Sequence, residues 1–315
     1  MAGASRGPRS TRETSTFRVH LVDGTYELFR HYFAVPPHED ESGRERGAVL
    51  GVVQSLLVML EGGATHVGVA TDHVVESFRN DLYAGYKTGE GIEPPLRAQF
   101  EPLEEALDAL GVTVWPMVEV EADDALAAAA AAAASDDRVT QVLICSPDKD
   151  LAQCVRGNRV VQLDRRKDAI TNEKGVVAKF GVPPSSIADY LALVGDASDG
   201  YPGLPGWGAK TTATVLAKYR RLEAIPKSGA EWKIEVRGAE KLAGVLRERW
   251  DEALLFRKLA TLRTDRPRSV KVDALEYRGP KRAFEALAAS LRRPRLWERA
   301  RAVADARGTS KASSK

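Results

Sequence analysis

Apolar residues recur along this chain with two different periods, and the two alternate. FRVHLVD (17–23), HVGVATD (66–72), QVLICSPD (141–148) and RVVQLD (159–164) are short apolar runs rich in β-branched residues, as buried strands require. Between them lie stretches with helical apolar spacing at 24–32, 46–63, 94–111 and 121–135. Gly-Gly stops the second of these, Gly111 stops the third, and the fourth holds eight consecutive alanines, which favour helix intrinsically. Strands alternating with helices of this length predict an α/β fold with a mainly parallel central sheet flanked by helices.

After about Thr171 the pattern turns helical, with helices expected at 187–195, 211–219, 239–250 and 251–260. From Lys281 a further helix is broken at Pro294 and followed by a polar Ser/Lys tail. Residues 1–16 are polar and rich in Ser, Arg and Gly, and read as a disordered leader. The expected divisions are therefore a leader (1–16), an α/β core (17–170), a helical region (171–276) and a C-terminal helical segment with its tail (277–315).

Composition sets few limits. At 43% hydrophobic and 29% charged residues, the chain has the balance of a soluble globular protein. It shows neither an 18-residue apolar run nor the apolar stretch of a signal peptide, so a cytoplasmic protein without a membrane span is expected. Cys145 and Cys154 form no CxxC pair and read as reduced thiols.

The acids change the picture. Nine carboxylates stand where an apolar strand ends or a helix begins: Asp23, Asp72, Glu121, Asp123, Asp124, Asp148, Asp150, Asp196 and Asp199. In parallel sheets ligands sit beyond the carboxyl ends of the strands, where Asp23, Asp72 and Asp148 fall. So many like charges at one place repel unless divalent cations lie between them, which points to metal-dependent chemistry on phosphate. The chain has 46 Lys and Arg against 44 acids. Setting the nine aside leaves 35 acids and a surplus of 11 positive charges, a balance that suits a polyanion.

Two further stretches carry chemistry. PGLPGWGAKTTATVLA (202–217) fits a helix-hairpin-helix within 195–219, in which Gly206 and Gly208 turn the backbone so that N–H groups face a phosphate. Lys210 and the hydroxyls of Thr211 and Thr212 stand ready to help, and such contacts bind backbone without reading sequence. In SFRNDLYAGYKTGEG (77–91), Arg79, Tyr83 and Lys87 fall on one face at helical spacing, with Tyr86 beside them. Cations plus aromatics there suit a nucleic-acid strand passing the metals. LVDGT resembles the DxDGT opening of haloacid-dehalogenase-type phosphatases, but Leu21 occupies the nucleophile's position and removes that mechanism.

Taken in order, LVDGTYELFR, GAVLGVVQSLL, SFRNDLYAGYK, EADDALA, SPDKDLAQ and ALVGDASDGYPGLPGWGAKT resemble the bacterial 5′-nuclease (flap endonuclease) family over about 17–273. The resemblance implies a free-standing relative of the 5′→3′ exonuclease domain of DNA polymerase I, with a helical arch at about 74–96. It implies a monomer that hydrolyses DNA at 5′ flaps and at branched or nicked duplexes, in Okazaki-fragment processing and repair. All nine acids match the family's metal-binding set for two or more Mg²⁺ or Mn²⁺ ions. Lys87 and Arg79 match its cations at the scissile phosphate, and Tyr83 or Tyr86 its stacking aromatic. Gly206, Gly208, Lys210 and Thr211 match its duplex grip, with K⁺ as an accompanying ion. Three departures stand out: Pro147 replaces a usual Gly, Gly200 replaces a usual Asn, and the basic residue expected soon after Lys87 is missing. Two other readings stay open on the residues alone, a PIN-type ribonuclease and a non-catalytic DNA-binding scaffold.

Overall fold

A computed structural model describes residues 16–266 and 270–313; the expected leader, apart from Thr16, lies outside them. Six strands form one sheet: β1 (Phe17–Asp23), β2 (His66–Asp72), β3 (Thr113–Met117), β4 (Val139–Cys145), β5 (Val160–Asp164) and β6 (Ala169–Thr171). Their order is β3-β2-β1-β4-β5-β6, parallel except for the antiparallel β6. The order reverses direction between β1 and β4, which opens a crevice beyond their carboxyl ends.

Two strands escape the sequence pattern, and both lie at edges. TVWPM of β3 contains Pro116, which an edge strand tolerates because one side of its ladder is unpaired. β6 is only three residues long.

Helices cover both faces. On one lie α1 (Gly24–Tyr32), α2 (Gly47–Glu61) and α5 (Phe100–Leu110), with the short α4 (Pro94–Arg97) leading into α5. The continuous helix expected at 94–111 is thus interrupted at Ala98 and Gln99. On the other face α6 (Ala122–Ala134) packs against β1 and β4. Its alanines do more than favour helix: Ala125, Ala129 and Ala133 are fully buried, and their small side chains let the helix backbone lie close on the sheet.

The helical region has its own core, built by α8 (Ile187–Val194), α9 (Ala209–Tyr219), α10 (Ala239–Glu248) and α11 (Trp250–Ala260), with Trp207, Leu216 and Phe256 inside it. α7 (Glu173–Phe180) leads in from β6, and α3 (Phe78–Leu82) touches α11. After α11 the chain returns to the sheet, and α12 (Ala283–Ser290) and α13 (Arg295–Ser313) pack on α5 and α2. Phe284 and Leu296 complete the first core there. Cys145 and Cys154 are free thiols, and no described helix is long and apolar enough to cross a membrane.

Replacing Ala129 by Leu should lower stability by about 1–3 kcal/mol through overpacking against the sheet. The same change at half-buried Ala132 should cost far less, and urea denaturation of the two variants checks the contrast.

Candidate active site

The strand ends deliver the acids. Asp23 closes β1 and caps α1, its Oδ1 accepting the Tyr26 N–H at 2.8 Å and its Oδ2 the Ser146 hydroxyl at 3.0 Å. Asp72 closes β2, and its Oδ1 accepts the Ala122 N–H at 2.8 Å, at the start of α6. Glu121 caps that same helix, and Asp123 stands in its first turn. After β4 the chain turns so that the Asp150 N–H donates to Asp148 Oδ1 at 2.8 Å, while Gln162 holds the Asp148 carbonyl at 2.6 Å.

Beyond α8, Asp196 Oδ1 accepts the Ser198 N–H at 2.9 Å and so shapes a tight loop carrying Asp199. Asp150, Asp196 and Asp199 place one oxygen each within 4.8 Å of one another, and all three are buried. Carboxylates from the α/β core and from the helical region therefore meet in one crevice.

Their protonation shows the strain of that meeting. Burial, then the charges of Asp72 and Asp148, push Asp23 up to about 7. Burial, then Asp148 and Asp23, hold Asp123 well above the usual carboxylate range. Burial raises Asp150 in the same way, with Asp148, Asp199 and Asp196 adding to it. Asp72 and Asp199 are also raised by burial, against the opposing pull of Lys87. Asp150 Oδ1 is buried without a hydrogen-bond partner. A cluster of hard oxygens, one of them orphaned, is the donor set that a divalent cation takes.

Two lysines partly balance the charge. Lys87 Nζ lies 2.8 Å from Glu121 and 2.9 Å from Asp199, and Lys149 Nζ lies 2.6 Å from Asp196. Burial opposes the charge on Lys87, yet Glu121 and Asp199 outweigh it and hold its pKa well above the ordinary value. Burial would raise Glu121 too, but Lys87 and Arg79 keep it low. Lys149 was absent from the sequence reading. It stands between the two acids of SPDKD, and that position was the signal available.

Four expectations need correction. The cationic face of Arg79, Tyr83 and Lys87 does not form, because α3 is five residues long and Tyr83 ends it in an extended conformation. The arch segment at 74–96 accordingly holds only α3 and the start of α4, with turns between. Arg79 is buried instead of facing a phosphate. Its guanidinium makes a bidentate pair with Asp124 at 2.7 and 2.8 Å, reaches Glu121 at 3.1 Å, and donates to the carbonyls of Leu259 and Thr261.

Asp124 is fully buried and committed: besides Arg79 it accepts the N–H groups of Glu121 and Arg263. It anchors Glu121 and has no free face toward the other acids. Removing one partner of such a buried pair costs about 3–5 kcal/mol of stability. Tyr86 is buried with its hydroxyl 3.3 Å from Glu121, so its ring is not free to stack on a base, while half-buried Tyr83 packs edge-to-face with Phe256.

In the loop before α9, Gly208 caps the helix with no side-chain hydrogen bond, and nothing stands where its Cβ would be. The N–H groups of residues 209–211 precede the first helical bond, from Thr212 to Gly208. Gly206 and Lys210 are exposed and Thr211 is half-buried, whereas Thr212 points into the core.

Residues 18–181 match the 5′-3′ exonuclease N-terminal resolvase-like domain, and residues 182–283 the 5′-3′ exonuclease C-terminal SAM fold. The chain belongs to the 5′-3′ exonuclease family. It is 31% identical over 264 residues to the 5′-3′ exonuclease of Aquifex aeolicus, covering 83% of this chain and 87% of that one. It is 36% identical over 282 residues to DNA polymerase I of Pseudomonas aeruginosa, covering 86% of this chain but 30% of that protein. The chain thus spans under a third of the polymerase relatives it matches. In fold, this family member resembles T5 5′-exonuclease with zinc bound (TM-score 0.62, 17% identity, 91% of this chain and 98% of that one). It also resembles flap endonuclease-1 from Methanococcus jannaschii (TM-score 0.58, 13% identity, 94% of this chain and 95% of that one).

The raised carboxyls of this family member set a pH dependence. A group held near 7 in the fold but ionising near 3.8 in the unfolded chain stabilises the fold at low pH, and that contribution is lost as pH rises from about 4 to about 7. His20, pushed down to about 4 by burial, acts with the opposite sign between about 4 and 6.5. The clean measurement is therefore the difference between the metal-free protein and Asp23→Asn. The Tm of the variant should gain on the parent steadily from pH 4 to pH 7, and saturating Mn²⁺ should shrink the gain.

Proposed function

We propose that this chain is a divalent-metal-dependent nuclease that hydrolyses DNA phosphodiester bonds 5′→3′ and at 5′ flaps. The observation that carries the reading is the meeting of Asp150, Asp196 and Asp199 within 4.8 Å, with an orphaned oxygen on Asp150. Mg²⁺ or Mn²⁺ held there, with Glu121, Asp123 and Asp148 beside them, supplies Lewis-acid charge for the phosphate and lowers the pKa of the attacking water.

The chain's own residues do the rest. Lys87, the cation at the mouth of the cluster, neutralises charge on the scissile phosphate as it builds up in the transition state. Asp124 and Arg79 are positioning residues that fix Glu121 from behind. Asp23 and Asp72 brace the starts of α1 and α6 and would add their negative charge to that of the ion-holding acids. The exposed start of α9, with Gly206, Gly208, Lys210 and Thr211, grips the duplex backbone through N–H groups and one ammonium. Such an activity serves Okazaki-fragment processing and DNA repair in the cytoplasm.

Cleavage of a 5′-labelled flap duplex tests the reading. Mn²⁺ or Mg²⁺ should support release of the flap, EDTA should stop it, and Asp148→Asn should lower kcat by at least about a hundredfold while DNA binding persists. Full turnover by Asp148→Asn would contradict the assignment. A faster rate on an RNA strand than on a DNA flap would favour the PIN-type alternative, and tight metal-independent binding without hydrolysis the scaffold.

A further inference from the structure

Lys87 reaches the acids because the chain before it lies hard against the loop after α8. The Lys87 N–H donates to the Asp199 carbonyl at 3.0 Å, and Asn80 Nδ2 holds the Lys87 carbonyl at 2.9 Å. One residue on, Gly200 has φ +85°, and a Cβ there would stand 2.1 Å from the Gly85 carbonyl oxygen and 3.5 Å from the Lys87 nitrogen.

The positive φ alone does not demand glycine, since asparagine also adopts the left-handed region. The approach of Gly85 does demand it. Gly200 is thus the residue that lets two backbones touch, and this touch seats the Lys87 ammonium between Glu121 of the α/β core and Asp199 of the helical region.

We propose that Lys87 serves as the free protein's own counter-ion, closing the 84–90 segment over the acids, and that Gly200 is the positioning residue that seats it. A divalent ion drawn to Glu121 and Asp199 meets an ammonium already between them. Ion entry and release of the Lys87 segment are therefore linked: each favours the other by the same factor. The released lysine is then available to a phosphate, so closure protects the site and opening arms it. This rests on the reading that Glu121 and Asp199 belong to the metal-binding set.

The test is titration of the metal-free, DNA-free protein with Mn²⁺ by calorimetry, alongside hydrogen exchange of the Lys87 amide. Lys87→Met removes the competing charge, and Gly200→Asn inserts a side chain against Gly85 while replacing none of the acids. Each variant should bind Mn²⁺ about tenfold more tightly than the parent. The Lys87 amide should exchange faster in the parent once Mn²⁺ is added, and should already be fast in Gly200→Asn without metal. Parent and variants that bind Mn²⁺ equally, with the amide protected throughout, would overturn the closure and leave the nuclease reading intact. A parent that binds no Mn²⁺ would overturn both.

Discussion

Mutual repulsion among carboxylates is the constraint around which this molecule is organised. Asp23, Asp72, Asp123, Asp150 and Asp199 all sit where burial raises their pKa, and most raise one another further. A fold that only had to be stable would keep such groups apart or replace them. This one assembles them from the strand ends of the sheet and from the helical region, then sets positive charge around them. Stability and function conflict most sharply in this crevice, as in functional sites generally.

The positive charges divide the work. Arg79 is withdrawn from solvent, and its fork is filled by Asp124, Glu121 and two carbonyls at the end of α11. It joins α3, α6 and α11, so it helps hold the helical region against the sheet. Lys87 and Lys149 are different: each is about one-third exposed, and its ammonium pairs with carboxylates that also face the cluster. An ammonium on a flexible stem can leave such a place, whereas a bidentate guanidinium sealed behind a helix cannot. Permanent and exchangeable neutralisation are thus assigned to different residue types.

Much of this was legible in the sequence, for physical reasons. β1, β2, β4 and β5 announced themselves because interior strands of a parallel sheet are buried on both faces and read as continuous apolar runs. The acids could be grouped because three of them closed those runs. β3 and β6 were missed because edge position allows proline in the one and brevity in the other. Arg79 was misjudged because a periodic pattern gives a face but not what covers it, and the helix stops before that face extends to Lys87. Asp124 was misjudged for the same reason: EADD looks alike whether its last acid faces the crevice or turns back to cap Glu121. The partners of Lys87 lie 34 and 112 residues further along the chain, which no local pattern could reveal.

On the reading proposed above, the crevice between β1 and β4 is a divalent-metal site completed by the helical region. Anomalous diffraction from crystals soaked in Mn²⁺ tests it most directly. Mn²⁺ peaks should appear bounded by Asp150, Asp196 and Asp199, with Lys87 displaced from Glu121. A structure at saturating Mn²⁺ with no peak among those acids, and with Lys87 still bridging Glu121 and Asp199, would contradict it.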